Sequence, residues 1–287
     1  MVRKALRWLG YGLAAILALL VLAAAWIWFA SSRELGRTHE ARPERLAPPS
    51  AGQLADAPRQ ARILGCFSCH GEGLRGRLML DIPNVVKVWA PNLAELAPRV
   101  SDQQLAAAIR QGIGADGRGL LAMPSPQYSR LSDGEVAALI AVIRAQPPGG
   151  APTPPARLGP FGRVGLAFGM VETSPRLIEQ FRVRQPYDLG PDHEAGRRIA
   201  AVACAECHGP DLTGDGPGGG GGAPGLALAG AYDLDRFRTL LRTGRPPDGR
   251  DLGLMAEVAR LNFSHFTDEE IARLHAYLRA RAERVPE

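Results

Sequence analysis

The chain has 287 residues, a formal net charge of +5, 6% aromatic residues and four cysteines. That length accommodates two ordinary domains with extra segments. The charge is too small to mark a nucleic-acid binder, and all four cysteines fall in two short C-x-x-C motifs, which leaves none for a structural disulfide. Residues 1–8 form a basic flank with Arg3, Lys4 and Arg7. Residues 9–30 follow with no charge over 22 positions, enough to span a bilayer as a helix. Trp8 and Tyr11 stand at one end of this run and Trp26, Trp28 and Phe29 at the other, as an interfacial aromatic belt would. The N-terminal positive flank predicts a cytoplasmic N-terminus and an exported body. A cleaved signal peptide is the rival, and Ala23–Ala25 offers a cut. Its apolar region would be only about 7–15 residues, however. The expectation is therefore an uncleaved anchor.

Residues 31–56 are rich in Ala, Pro, Arg and Glu without a period and read as a tether, with His39 solvated. The first domain is placed at 57–146. A short helix over 57–64 leads into Cys66-Phe67-Ser68-Cys69-His70, and Trp89-Ala90-Pro91-Asn92-Leu93 reads as loop. Ser101-Asp102-Gln103-Gln104 and Ser132-Asp133-Gly134-Glu135 are capping boxes, each opening an apolar-faced helix. The first helix stops near Gly112 and the second before Pro147 and Pro148, with Leu121–Pro124 a loop between them. Residues 147–185 form a linker. Its first part holds six prolines, and Phe161–Val171 is an apolar strip, Met170 included, expected to pack across the two domains. An exposed docking strip is the alternative. The second domain, 186–287, has a helix near 193–203, then Cys204-Ala205-Glu206-Cys207-His208 and a glycine-rich loop over 214–225. A helix over 233–243 stops at Gly244, and another is capped by Thr267-Asp268-Glu269-Glu270.

Both cysteine motifs have the spacing C-x-x-C-H, which is the signal for covalent c-type haem attachment. On a helical turn, positions three and four apart share a face. Two thiols can then bond one macrocycle while the adjacent imidazole reaches its iron. A redox dithiol or zinc site also uses C-x-x-C. Two copies, each followed by Gly and each with a methionine downstream, favour haem. All four cysteines lie in these motifs. The two domains also repeat: Arg110, Gly112, Asp116, Gly117, Arg118, Leu120 and Met123 align without a gap to Arg242, Gly244, Asp248, Gly249, Arg250, Leu252 and Met255. A capping-box helix follows in both. Arg118 and Arg250 are read either as partners of haem propionates or as solvated loop residues, and His193 and His275 as surface or packing residues.

On these residues the chain resembles the class I cytochrome c family over two modules, about two thirds of its length. The resemblance implies an all-α fold, two tandem cytochrome c domains behind an N-terminal transmembrane helix. It also implies two covalently bound haem c groups on Cys66 and Cys69 and on Cys204 and Cys207. His70 and His208 would be proximal ligands and Met123 and Met255 distal ligands. The carbonyls of Pro91 and Pro224 would orient the histidines. One departure is Ala256 after Met255, where the family has Met-Pro, and His265 stands ten residues further on as a competing ligand.

His/Met ligation fills both axial positions and raises the potential relative to His/His. The reading is an electron carrier and not an enzyme, since the sequence shows no Ser/His/Asp set and no close carboxylate pair. It would be held by one span in a bacterial inner membrane with its bulk in the periplasm. Its expected partners are a donor dehydrogenase or quinol-oxidising complex and a downstream acceptor, with no nucleic acid. The architecture resembles anchored cytochrome subunits of periplasmic alcohol or gluconate dehydrogenases, which carry three modules, and soluble carriers of the cytochrome c4 kind. The rival readings are a diheme cytochrome c peroxidase with one labile distal ligand, and a haem-based sensor.

Overall fold

The computed structural model describes residues 2–214 and 222–284. Most of the glycine-rich loop therefore lies outside the described residues. Helix α1, Val2–Leu35, has 34 residues and is long and apolar enough to cross a membrane. At 1.5 Å per residue it is about 50 Å long. Its side chains are exposed almost throughout, and Ser31, near its C-terminal end, is the one buried.

The segment expected to be a free tether is not free. His39 N–H donates to Gly117 O, and Glu44 N–H to Gln103 Oε1. Gln111 accepts from Arg42 N–H and donates back to Arg42 O, and Glu44 pairs with Arg110. His39 is half-buried. These contacts run from side-chain amides to irregular backbone, so they leave no periodic trace.

Helix α2, Ala51–Ile63, opens with the capping box Ser50/Gln53. Gly65, with φ of +79°, turns the chain into α3, Cys66–His70. A β-hairpin follows, and it takes in the first two residues of the expected loop at 89–93. β1, Arg77–Ile82, pairs antiparallel with β2, Val86–Ala90, matching Leu78 with Trp89 and Ile82 with Val86. Trp89 and Ala90 are thus strand residues. Asn92 caps a short helix, α4, Leu93–Leu96. Helix α5, Asp102–Gln111, carries the predicted Ser101 capping box and ends at Gly112 in the left-handed conformation. Next come α6, Ser125–Tyr128, and α7, Asp133–Arg144, capped by Ser132. α2 packs on α7 and shares with it and α5 a core containing Ala57, Ala61, Leu64, Leu105, Leu139 and Ile143.

The linker has its own structure. β3, Arg157–Leu158, adds to β2. Helix α8, Pro160–Ala167, does not pack across the domains. It lies against the end of α1, with Phe168 on Trp26 and Arg163 over Trp28. Phe161 and Met170 are exposed, not packed. The bridge between the halves is α9, Ser174–Val183, which begins seven residues after α8 ends. It packs on α6 and α5 and sends Phe181 into the second core. The gain from burying Phe181 and Ser174 on different domains places the bridge there, while Gly162 and Gly165 leave α8 little side chain to pack on its inner face.

The second half repeats the first. Helix α10, Glu194–Ala203, leads into α11, Ala205–His208. Then come α12, Ala227–Gly230, α13, Leu234–Thr243, ending at left-handed Gly244, α14, Leu254–Leu261, and α15, Asp268–Arg284. α10 crosses α15 as α2 crosses α7. The crossing is close: a Cβ on Gly196 would stand 2.2 Å from Arg273 O. Ile271, Leu274 and Leu278 of α15 are fully buried, each worth about 1.5–3 kcal/mol. The fold is mostly helical, and among the described residues its strands are confined to the three-stranded sheet β1-β2-β3.

Candidate cofactor-binding sites

Each C-x-x-C-H forms a single helical turn, so its two cysteines and histidine project to one side. Both histidines are buried and held in the same way. His70 Nδ1 lies 2.9 Å from Pro91 O, and His208 Nδ1 lies 2.8 Å from Pro224 O. A carbonyl can only accept, so each Nδ1 carries the proton and each Nε2 keeps its lone pair for a metal. Burial lowers both histidine pKa values, against the carbonyl's opposite pull, and so favours the neutral ring that ligates.

In the second half, Cys204, Cys207, His208, Pro224 and Met255 line one cavity of about 650 Å³. Its remaining wall is largely apolar, with Tyr232, Phe237, Leu241, Phe263, Phe266 and Leu274 among the lining residues. That volume and lining suit a flat apolar cofactor, since such sites run about 300–1,000 Å³. His265 does not line it. It sits in a short turn near Arg59, Arg62 and Arg242, and its own carbonyl accepts from Arg59. The structure therefore brings Met255 to the cavity and leaves His265 outside. Met255 lies in the first turn of α14, not in a loop. Its neighbour Ala256 is buried against Gly244, where a glycine Cβ would come 2.5 Å from Ala256 O. A proline at 256 would lack the N–H that Ala256 donates to Gly253 O at 3.1 Å, a physical reason for the departure noted above.

In the first half, Cys66 and Met123 pack on the same core cluster. Met123 is in a loop, fastened by Ser174 Oγ, which donates to Met123 O at 3.0 Å, and by Ser125 Oγ to Ala108 O at 2.7 Å. The repeat is visible in three dimensions. Arg110 reaches Asp133 at 2.7 Å and Arg242 reaches Asp268 at 3.0 Å, each tying the helix before the methionine to the start of the last helix. Arg118 and Arg250 are exposed and paired with Asp116 and Asp248, both at 3.1 Å. Of the remaining histidines, His275 is a packing residue, with Nε2 at 2.7 Å from Tyr232 O, and His193 is half-buried.

Sequence reasoning missed the seam between the halves. Arg130 donates to four carbonyls, those of Phe181 and Arg184 at 3.0 Å and of Ala201 and Pro210 at 3.1 Å, and its guanidinium lies over the Phe181 ring. Burial pulls its pKa down to about 10, so it remains charged at neutral pH. Arg59 bridges Asp56 of its own helix and Glu270 of α15. Glu206, inside the second motif, is half-buried, and desolvation pushes its carboxyl up to about 7. Only the arginine content of the sequence hinted at any of this.

Residues 193–282 match the family model of cytochrome c. Residues 55–143 match that of cytochrome C oxidase, cbb3-type, subunit III. No curated protein matches the chain. Two consecutive c-type cytochrome domains are thus defined by fold, site and family together. The chain belongs to the c-type cytochrome family and binds two covalently attached haem c groups.

Proposed function

We propose that this protein is a membrane-anchored diheme electron relay, with domains at about 57–146 and 186–287. His70 and Met123 ligate one iron; His208 and Met255 ligate the other. The single observation that carries this reading is the second cavity, which joins both cysteines, a carbonyl-oriented histidine and a methionine on apolar walls. When bound, each haem supplies a one-electron couple whose potential follows from its axial ligands and surroundings. The chain's own work is to orient His70 and His208 through Pro91 and Pro224, to close the distal side with a thioether, and to exclude water with aromatic and leucine side chains. A histidine and a methionine held to each iron would leave no place for a substrate, which favours outer-sphere transfer over the peroxidase or sensor readings.

Helix α1 serves as an inner-membrane anchor, with the haem domains on the outer face. The donor is a dehydrogenase or quinol-oxidising complex, and the acceptor a downstream redox protein. Intact mass of the purified holoprotein tests the anchor: retention of residues 1–30 supports it and a cleaved chain refutes it. Carbon monoxide and peroxide added to the reduced holoprotein test the ligation. An unchanged absorption spectrum with no peroxide turnover is expected. Binding at either haem overturns the carrier reading in favour of the peroxidase or sensor.

A further inference from the structure

Among the described helices of eight or more residues, α8 alone carries no acidic residue, and none occurs from Pro147 to Val171. Gly162 and Gly165 form its inner side. A Cβ on Gly162 would stand 2.1 Å from Val85 O, so the tip of the β-hairpin rests directly on the helix backbone. Phe161 and Phe168 are seven residues apart and share one exposed side. They are 67% and 62% exposed, and Met170, just past the helix end, is 70% exposed. Scattered apolar residues on a surface need no explanation, but a cluster of three large ones does.

The position of the cluster supplies the explanation. α8 packs on the C-terminal end of α1, the end that carries Trp26, Trp28 and Phe29. Phe168 touches Trp26 with ring centroids 5.4 Å apart. The Arg163 guanidinium lies 3.6 Å from the Trp28 ring centre and donates to Ser31 Oγ and Ser32 Oγ. Tryptophans flanking a span sit at headgroup depth, and a helix with aromatic residues on one side lies in that same layer.

Resting on the anchor reading of α1, we propose that Phe161, Phe168 and Met170 form a lipid-facing strip that inserts into the interfacial layer of the bilayer beside α1. The haem body then meets the membrane through two elements, one spanning and one lying flat, and takes a fixed orientation on it.

Nitroxide labels on single cysteines test this in the holoprotein, whose native cysteines are occupied as thioethers. The protein is reconstituted in vesicles of phosphatidylethanolamine and phosphatidylglycerol. Phe161→Cys, Phe168→Cys and Met170→Cys are compared with Leu17→Cys inside α1 and Glu179→Cys at an exposed position of α9, each with an unchanged haem spectrum as the folding control. Dissolved oxygen is expected to relax the three strip labels several-fold more than a water-soluble nickel chelate does, as at Leu17, with the reverse at Glu179. Strip labels that behave like Glu179 while Leu17 stays in lipid overturn the strip and leave the anchor standing. Protection from both reagents also overturns it, because protein then covers the surface. A water-accessible Leu17 overturns the anchor reading itself.

Discussion

Gln127 Oε1 accepts the backbone N–H of Glu206 at 3.0 Å, joining the segment just past Met123 to the turn that carries the second pair of cysteines. The counterpart of Gln127 in the repeat is Asn262, since each stands five residues before its capping-box Ser132 or Thr267. Asn262 reaches the first cysteine turn: a Cβ on Gly65 would lie 3.1 Å from its Nδ2. Each half therefore offers an amide side chain to the other's attachment turn. This reciprocal pattern is that of a two-fold interface, here within one chain. Replacing Gln127 by Leu strands the Glu206 N–H and is expected to cost about 1–2 kcal/mol. Denaturant midpoints of the holoprotein measure it, and an unchanged midpoint would show the bond to be dispensable.

Arg130 fastens the other side of the same seam. Arg130→Met keeps the bulk near Phe181 but deprives four carbonyls of a donor. A loss of about 3 kcal/mol is expected, mostly as weaker coupling between the halves. Calorimetry of the variant should split one cooperative transition into two; a single transition at the original temperature would refute this role.

The Arg59 bridge makes the seam acid-sensitive. The Arg59 hydrogen bond lowers Asp56 below its ordinary 3.8. For Glu270, burial acts upward, but the Arg59 and Thr267 bonds prevail and hold it below 4.5. Depressed carboxylates stabilise fully above their unfolded values, and this contribution is lost as pH falls through the lower folded ones. Small-angle scattering should show the halves separating below about pH 4 while the haem spectra persist. Glu270→Gln should move the onset toward neutral pH, and an onset that stays put would remove the bridge as its cause.

Axial ligation makes the sharpest distinction. Met123→Ala and Met255→Ala should each open one iron to carbon monoxide, one haem per variant by titration. His265→Ala should leave the spectrum unchanged, because His265 lies outside the cavity lining. A His265→Ala protein that binds carbon monoxide would reverse the assignment.

The helices were legible wherever a local rule acts. The Ser101, Ser132 and Thr267 caps and the stops at Gly112 and Gly244 depend on residues within one turn, and the structure has them. The attachment turns were equally plain, because covalent chemistry imposes their spacing, whereas Pro91 and Pro224 were placed by family resemblance alone. The hairpin was missed although Leu78, Leu80 and Ile82 alternate, since a two-stranded element of this length gives a signal no stronger than a loop. The pinning of residues 37–50, the Arg130 clasp and the partner of α8 rest on contacts between positions tens of residues apart. No periodicity encodes those.

The pinned stretch has one more consequence. Were α1 the anchor proposed above, fourteen flexible residues would let the haem body wander about 20 Å from it. His39, Arg42 and Glu44 deny it that freedom by bonding to α5 and its loop. A body on a slack leash finds its own customers; one bolted to its post must be visited. Turnover should then track the traffic of the mobile partner and respond to its concentration, while lengthening the leash by inserted glycines should not speed delivery.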